Sequence, residues 1–439
     1  MKVSELRIRA WIVPSLYATT AVAAGLLLPR LEALMFPDLT ARTSVQVAMT
    51  MYSAIASGMI ALTGIVFSIT FVMVQFSATA YSPRLASLMT QDRFLAHALG
   101  MFIATFVYAL AALAWLDRVS VARVPKASAW LVIGLLLASM GMFITLIERV
   151  GMLQVTRMLT FTATQGRRVI ATTYPSIEAS SSSAPPSDFR EEPTSQTLLY
   201  HGAPRVIQSI DSAQFVAIAT KHNVLIDVVA SVGDVVVELT PLLHVLKGSE
   251  TIDERRLLKA INLGEQRTFE QDPKYAIRLL VDIAIKALSP AINDPTTATQ
   301  ALDQIGDLLV RLGFRRIEIG TYRDGAGEVR LMVQYPTWHD FLRLSFDEIC
   351  HYGADSVQVM RRMRALVSDL ISILPEERRP ALTYWQHRLQ ETITRTFSDA
   401  DEQAEASVED RQGLGTTRRR AAPRVDEASA EQMNTRLTA

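Results

Sequence analysis

The sequence predicts an α-helical integral membrane protein, with about four transmembrane helices, followed by a cytosolic α+β domain. Three observations carry this expectation. Thr43 to Ser82, between Arg42 and Arg84, contains no Asp, Glu, Lys, Arg or His. Three further apolar runs lie within the first 150 residues, separated by polar turns. Beyond them the chain alternates short β-branched runs with amphipathic helical periodicity, the pattern of a water-soluble mixed fold. A chain of 439 residues accommodates two or three domains, and its positive mean hydropathy of +0.19 fits a molecule that is part membrane and part soluble.

Residues Met1 to Arg9 carry Lys2, Arg7 and Arg9, and an apolar run from Ala10 to Leu28 follows. That layout also suits a signal peptide, with Ala21 and Ala23 imitating a cleavage site. A run of about 19 residues is longer than a signal core of about 7–15, and more spans follow, which favours an uncleaved anchor. Pro29, Pro37 and Asp38 are expected to break the pattern before the central run. That run, roughly 40 residues long, would form a rod of about 60 Å and overshoot a bilayer core. A third span is expected from Phe94 to Leu116 and a fourth from Ala127 to Ile147. Lys2, Arg7, Arg9, Arg84, Arg93, Arg149, Arg157, Arg167 and Arg168 fall on one side; Arg30, Arg42, Arg118, Arg123 and Lys126 fall on the other. The richer side is expected to be cytoplasmic, which places both termini there.

The central run is patterned. At 100° per residue, Ser53, Ser57, Ala61, Gly64, Ser68, Gln75 and Thr79 share one narrow stripe, while Ile60, Phe67, Ile69, Phe71 and Met73 lie mostly elsewhere. Such a stripe serves either as a helix-packing seam, because small residues let backbones approach in lipid, or as the uncharged lining of a water-filled path.

After the spans, residues 151–175 read as an amphipathic helix leaving the bilayer, with its arginines at headgroup level. Residues 176–197 are rich in Ser and Pro and read as a linker or loop. A small β-rich subdomain is expected over 198–250, with strands at Arg205–Ile210, Val224–Ala230, Val235–Leu239 and Pro241–Leu246 around a helix capped by Asp211. A helical α+β subdomain is expected over 251–397. Its helices run over Thr251–Leu263, Asp272–Leu288, Pro295–Leu312, Thr337–Tyr352, Ser356–Leu374 and Glu376–Thr396, and a hairpin closes at Asp324–Gly327. Residues 398–439, with Arg418 to Arg420, read as a disordered polar tail.

Chemistry is sparsely signalled. Lys plus Arg equal Asp plus Glu at 44 each, so no global charge draws the chain to nucleic acid. The single cysteine, Cys350, allows no intrachain disulfide and no cysteine metal cluster. No phosphate loop, dinucleotide fingerprint, His-Glu-x-x-His, nucleophile elbow or Thr-Val-Gly-Tyr-Gly filter occurs, and the histidines lack metal-ligand spacing. Neither an enzyme nor a cofactor is therefore expected. Two polar corners, Gly264–Thr268 and Ser289–Asp294, with Asp282 between them, form either a structural junction or a site of Arg267, Asp272, Asp282, Asn293 and Asp294.

The segments Gly58–Ser68 (GMIALTGIVFS), Gln75–Arg84 (QFSATAYSPR), Ile261–Thr268 (INLGEQRT) and Ala287–Pro295 (ALSPAINDP), in this order, resemble a bacterial predicted-membrane-protein family, domain of unknown function 2254. The likeness runs from Leu6 to Leu374. It implies an integral inner-membrane protein with transmembrane helices first and a soluble domain after, and it supplies no reaction, ligand or catalytic residue. The Ser/Pro-rich insert is a departure from that pattern. The expectation that follows is a homo-oligomeric pore or regulated conduit in a lipid bilayer, or alternatively a membrane-anchored sensor or scaffold for a small ligand or protein partner.

Overall fold

The computed structural model describes residues 12–35, 45–80, 93–118, 124–150, 155–177, 192–248 and 251–414. The chain divides into two compact units, residues 1–154 and 155–439.

The first unit holds α1 (Ile12–Met35), α2 (Val45–Ala80), α3 (Arg93–Arg118) and α4 (Lys126–Val150), each long and apolar enough to cross a membrane. α1 does not stop at the predicted break. It runs through Pro29 to Met35, because a proline removes one donor whereas unwinding in lipid would strand several. The 36 residues of α2 give a rod of about 54 Å.

α3 is the centre of this unit: 44% of its span is buried, against 17% for each of the others. The helices approach closely where one side is small. Gly25 of α1 lies against Ala111 and Tyr108, and Gly100 of α3 lies against the Tyr17 ring, the packing that substitutes in lipid for a hydrophobic driving force. Buried hydroxyls bond across the seams, Thr105 to Ser139 at 2.9 Å and Tyr108 to Ser128 at 2.9 Å.

The second unit opens with α5 (Val155–Thr173). The expected membrane-surface helix is instead a core helix. Met158, Leu159, Ala163, Gly166, Val169 and Ile170 are buried, and Arg167 reaches Asp307 at 2.6 Å rather than standing among headgroups. An amphipathic period specifies an apolar face and leaves open whether lipid or protein covers it.

The strands are β1 (Thr194–Leu199), β2 (Arg205–Ile210), β3 (Leu225–Val228), β4 (Val235–Val236), β5 (Pro241–Leu246), β6 (Ile261–Gly264), β7 (Thr321–Arg323) and β8 (Val329–Val333). Five form a sheet in the order β1-β5-β3-β8-β7, antiparallel except for the β3–β8 pair, and three form a second sheet, β4-β2-β6. β6 and β8 come from beyond residue 250 and pair with β2 and β3, so the expected subdomain border at 250 is crossed by both sheets.

The first predicted helix beyond that border shrinks to α7 (Glu254–Leu258). Asp253 caps it by accepting the Arg255 N–H, in place of the Thr251–Glu254 capping box expected from the sequence, and Ile261–Gly264 pairs with β2 instead of extending the helix. The hairpin forms with shorter strands than the Arg316–Tyr322 and Glu328–Tyr335 runs expected from the sequence, held by Asp324, which accepts the N–H groups of Ala326 and Glu328 at 3.0 Å each.

A helical layer contains α6 (Ser212–His222), α8 (Pro273–Ala287), α9 (Pro295–Gly313), α10 (Trp338–Tyr352), α11 (Val357–Ile373), α12 (Arg379–Thr396) and α13 (Ala400–Ala406). The sequence signs hold at α6, α8 and α9, whereas the helix expected from Glu376 begins at Arg379, after a 3-10 turn over Glu376–Arg378. Asp211, Asp272 and Asp294 each accept a backbone N–H three residues on, and Thr337 with Asp340 makes a capping box.

The predicted tail is folded well past residue 398. After α13, Arg411 pairs with Asp369 at 2.7 Å and the Asp410 N–H donates to the Arg361 carbonyl at 3.2 Å. Residues 178–191 of the Ser/Pro-rich stretch and 415–439, with the Arg418–Arg420 triplet, lie outside the described residues.

Candidate functional site

α2 places the stripe. Its buried residues, Ala48, Tyr52, Ala56, Met59 and Val66, face the other helices of the unit. The stripe is centred about 150° away around the helix, and Ser53, Ser57, Gly64 and Ser68 are all exposed. A Cβ added at Gly58 or Gly64 would meet nothing within 4 Å. The small polar face is therefore no seam within the subunit's own bundle over this length. Gln75 and Thr79 continue the helix, and their side chains lie outside the described residues.

In the second unit, the five residues proposed from the polar corners separate along α8. Its 15 residues make a rod of about 22 Å. Arg267 and Asp272 sit at its N-terminal end, where Arg267 Nη1 lies 3.5 Å from Asp272 Oδ2. Asn293 and Asp294 sit beyond its C-terminal end. There Asn293 takes a left-handed turn with φ of 48°, the Asp294 N–H returns to the Ala287 carbonyl at 2.8 Å, and the Asp294 carboxylate accepts from the Thr297 N–H at 3.1 Å. That corner is a helix junction.

Asp282, midway, accepts from Arg278 Nε at 2.6 Å, and Arg278 also grips Glu348 of α10 in a two-pronged ion pair. The guanidinium is stabilised in its charged form above the ordinary arginine range, chiefly by its bond to Glu348. This bridge ties α8 to α10, and the five residues do not line one pocket.

What gathers around Asp272 escaped the sequence reading. Asp272 is 2% exposed and caps α8 through the Tyr275 N–H at 3.2 Å. Burial raises its carboxyl above the ordinary range, against the opposing pull of Arg267. Gly233, at φ +91°, lies so close to Asp272 and Arg267 that a side chain would run into the carboxylate. Nearby, the Tyr174 hydroxyl is buried with no hydrogen-bond partner, its ring edge-on to Tyr335, and Tyr335 shares a 2.9 Å hydroxyl contact with Tyr322. Burial holds the phenols of Tyr174 and Tyr335 protonated far above neutrality. Tyr174 just after α5, Tyr322 on β7 and Tyr335 two residues past β8 carry no shared spacing, so only the folded chain brings them together.

Cys350 is buried, its thiol 3.7 Å from the Thr392 hydroxyl and raised by burial, which describes an inert packing residue. Among the described residues, no group of three or more His, Cys, Asp or Glu is placed to hold a metal.

These features can be set beside known proteins. The family model described as "Predicted membrane protein (DUF2254)" matches residues 7–369. The chain belongs to this family. DUF2254 relatives include an uncharacterized protein of Mycobacterium tuberculosis strain H37Rv, 25% identical over 365 residues, which are 80% of this chain and 69% of the relative. An uncharacterized protein of Mycobacterium bovis is 25% identical with the same coverage, and one from M. tuberculosis strain CDC 1551 is 26% identical over 367 residues. No solved structure matches the chain.

The DUF2254-like segments quoted from the sequence acquire physical roles in the fold. Gly58–Ser68 carries the exposed stripe of α2, Ile261–Thr268 contains β6 and the Arg267 partner of Asp272, and Ala287–Pro295 is the α8–α9 junction.

One further group of this DUF2254 protein was missed because α1 was expected to end sooner. Glu32 is 7% exposed, and its carboxylate accepts the N–H groups of Ala127 at 2.9 and 3.1 Å and of Ser128 at 3.3 Å. A lone acid between Leu31 and Ala33 at the edge of an apolar run was the available signal.

Proposed function

We propose that the protein is a homo-oligomeric conduit of the bacterial inner membrane that passes ions or small solutes, with both termini on the cytoplasmic side. The observation that carries this reading is the exposure of Ser53, Ser57, Gly64 and Ser68 on the face of α2 opposite its own bundle. A lipid-facing helix gains nothing from serines and glycines, whereas copies meeting along such a face gain close approach and an uncharged polar wall. The asymmetry of Lys and Arg between the loops supports the orientation.

Purified protein reconstituted into liposomes should release an entrapped ion or small-solute reporter, and Ser57→Leu with Ser68→Leu should suppress the release by at least about tenfold. Vesicles that stay tight across salts and voltages overturn the reading.

A second reading, a membrane-anchored sensor, is favoured by the buried Asp272 with the partnerless Tyr174 hydroxyl. A specific ligand bound there would raise the melting midpoint of the second unit by mass action. No shift across a small-molecule panel counts against it.

A further inference from the structure

One end of the first unit carries a groove of about 440 Å³, lined by Leu28, Leu31, Glu32 and Met35 of α1 and by Lys126 and Trp130 of α4. Its residues are ordered by depth. By length and composition the apolar spans end at Glu32 on α1 and begin at Lys126 on α4, which puts these two charges at the edge of the apolar stretch, with Met35 one turn beyond Glu32. Leu28 lies one helical turn inside Glu32, and Trp130 one turn inside Lys126. The groove thus carries its two charged residues, Glu32 and Lys126, one helical turn from the apolar Leu28 and Trp130.

The two charges at the boundary are not equivalent. The Glu32 carboxylate is engaged by the Ala127 and Ser128 N–H groups at the start of α4, where the helix dipole offsets its charge. Lys126 is exposed at the rim, so the charge the groove offers an incoming group is positive. An occupant needs an anionic head and an apolar tail, and this groove opens where such molecules are the solvent. Trp130, 71% exposed, supplies the indole that favours the lipid–water interface.

We propose that this groove is a phospholipid-binding site, with the lipid phosphate on Lys126 and an acyl chain laid along Leu28, Leu31 and Trp130.

Native mass spectrometry of the detergent-purified full chain, titrated separately with phosphatidylglycerol and phosphatidylethanolamine, tests the site. One lipid per protomer should survive at collision energies that strip the rest. Lys126→Glu should lower its occupancy by roughly fivefold or more, the worth of one interfacial cation to a headgroup. Leu31→Trp, which fills the groove, should lower it without touching a charge. Leu137→Ala, at an exposed position elsewhere on α4, should leave it unchanged. Equal retention of both lipids assigns recognition to the phosphate that they share; retention of neither at those collision energies overturns the proposal. The proposal is overturned if Lys126→Glu and Leu31→Trp hold lipid as the parent protein does, or if Leu137→Ala loses as much. Leu31→Trp also decides the matter should Lys126→Glu fail to fold.

Discussion

At the scale of the residue, two aspartates of the second unit are perturbed in opposite directions, and their effects on stability oppose one another. Asp272 is buried, and its carboxyl lies above the ordinary range of about 3.9. The folded state therefore binds that proton more tightly than the unfolded chain does. Its stabilising contribution is complete below the ordinary carboxyl range and declines as pH rises through the native pKa. Asp324 is held low, chiefly by its bond to Arg330 at 2.7 Å. Its contribution is present above the ordinary range and is lost as pH falls through the native pKa. Asp272→Asn, which keeps a capping side chain, should remove the Asp272 decline and leave the acid loss from Asp324 in place. Melting midpoints followed over about pH 3–7 would show this, and superimposable profiles for the two proteins would contradict it.

Asp294 shows what was legible at this scale. An Asp-Pro pair before an amphipathic run announces a helix start, and the structure uses it so. The Tyr174, Tyr322 and Tyr335 cluster was not legible, because its members are united by tertiary packing and lack a common period.

At the scale of the element, periodicity located most helices and could not say what each would face. α5 is the clearest instance. Its apolar stripe reads equally well as a helix resting on lipid, yet it packs against α8 and α9. Gly166 lies within that packing, where an added Cβ would come within 2.8 Å of Leu308 Cδ1 and 3.0 Å of Ala276 Cβ. Gly166→Leu should overpack this junction and cost about 1–3 kcal/mol, lowering the melting midpoint by a few degrees. An unchanged midpoint would mean that α5 rests outside the core.

α2 is the complementary case. Its stripe was visible in the sequence from spacing alone, whereas its direction required the positions of α1, α3 and α4. Short strands fared least well. β6 hid inside a predicted helix, because Ile261–Gly264 is too brief for its alternation to outweigh the helical residues before it.

At the scale of the whole molecule, the division was legible because solvent sets composition over long stretches. Four apolar helices require lipid, and the mixed sheets with their helical layer bury a core of their own. The family match over residues 7–369 agrees with a membrane protein and carries no activity with it.

The functional reading rests on copies meeting along α2, and cysteine cross-linking tests that most directly. In a Cys350→Ser background, Ser57→Cys and Ser68→Cys should form covalent oligomers with a short thiol-reactive cross-linker in intact membranes. Met59→Cys, buried on the opposite face of the same helix, should remain monomeric. Monomers at both stripe positions, or equal cross-linking at position 59, would contradict the account.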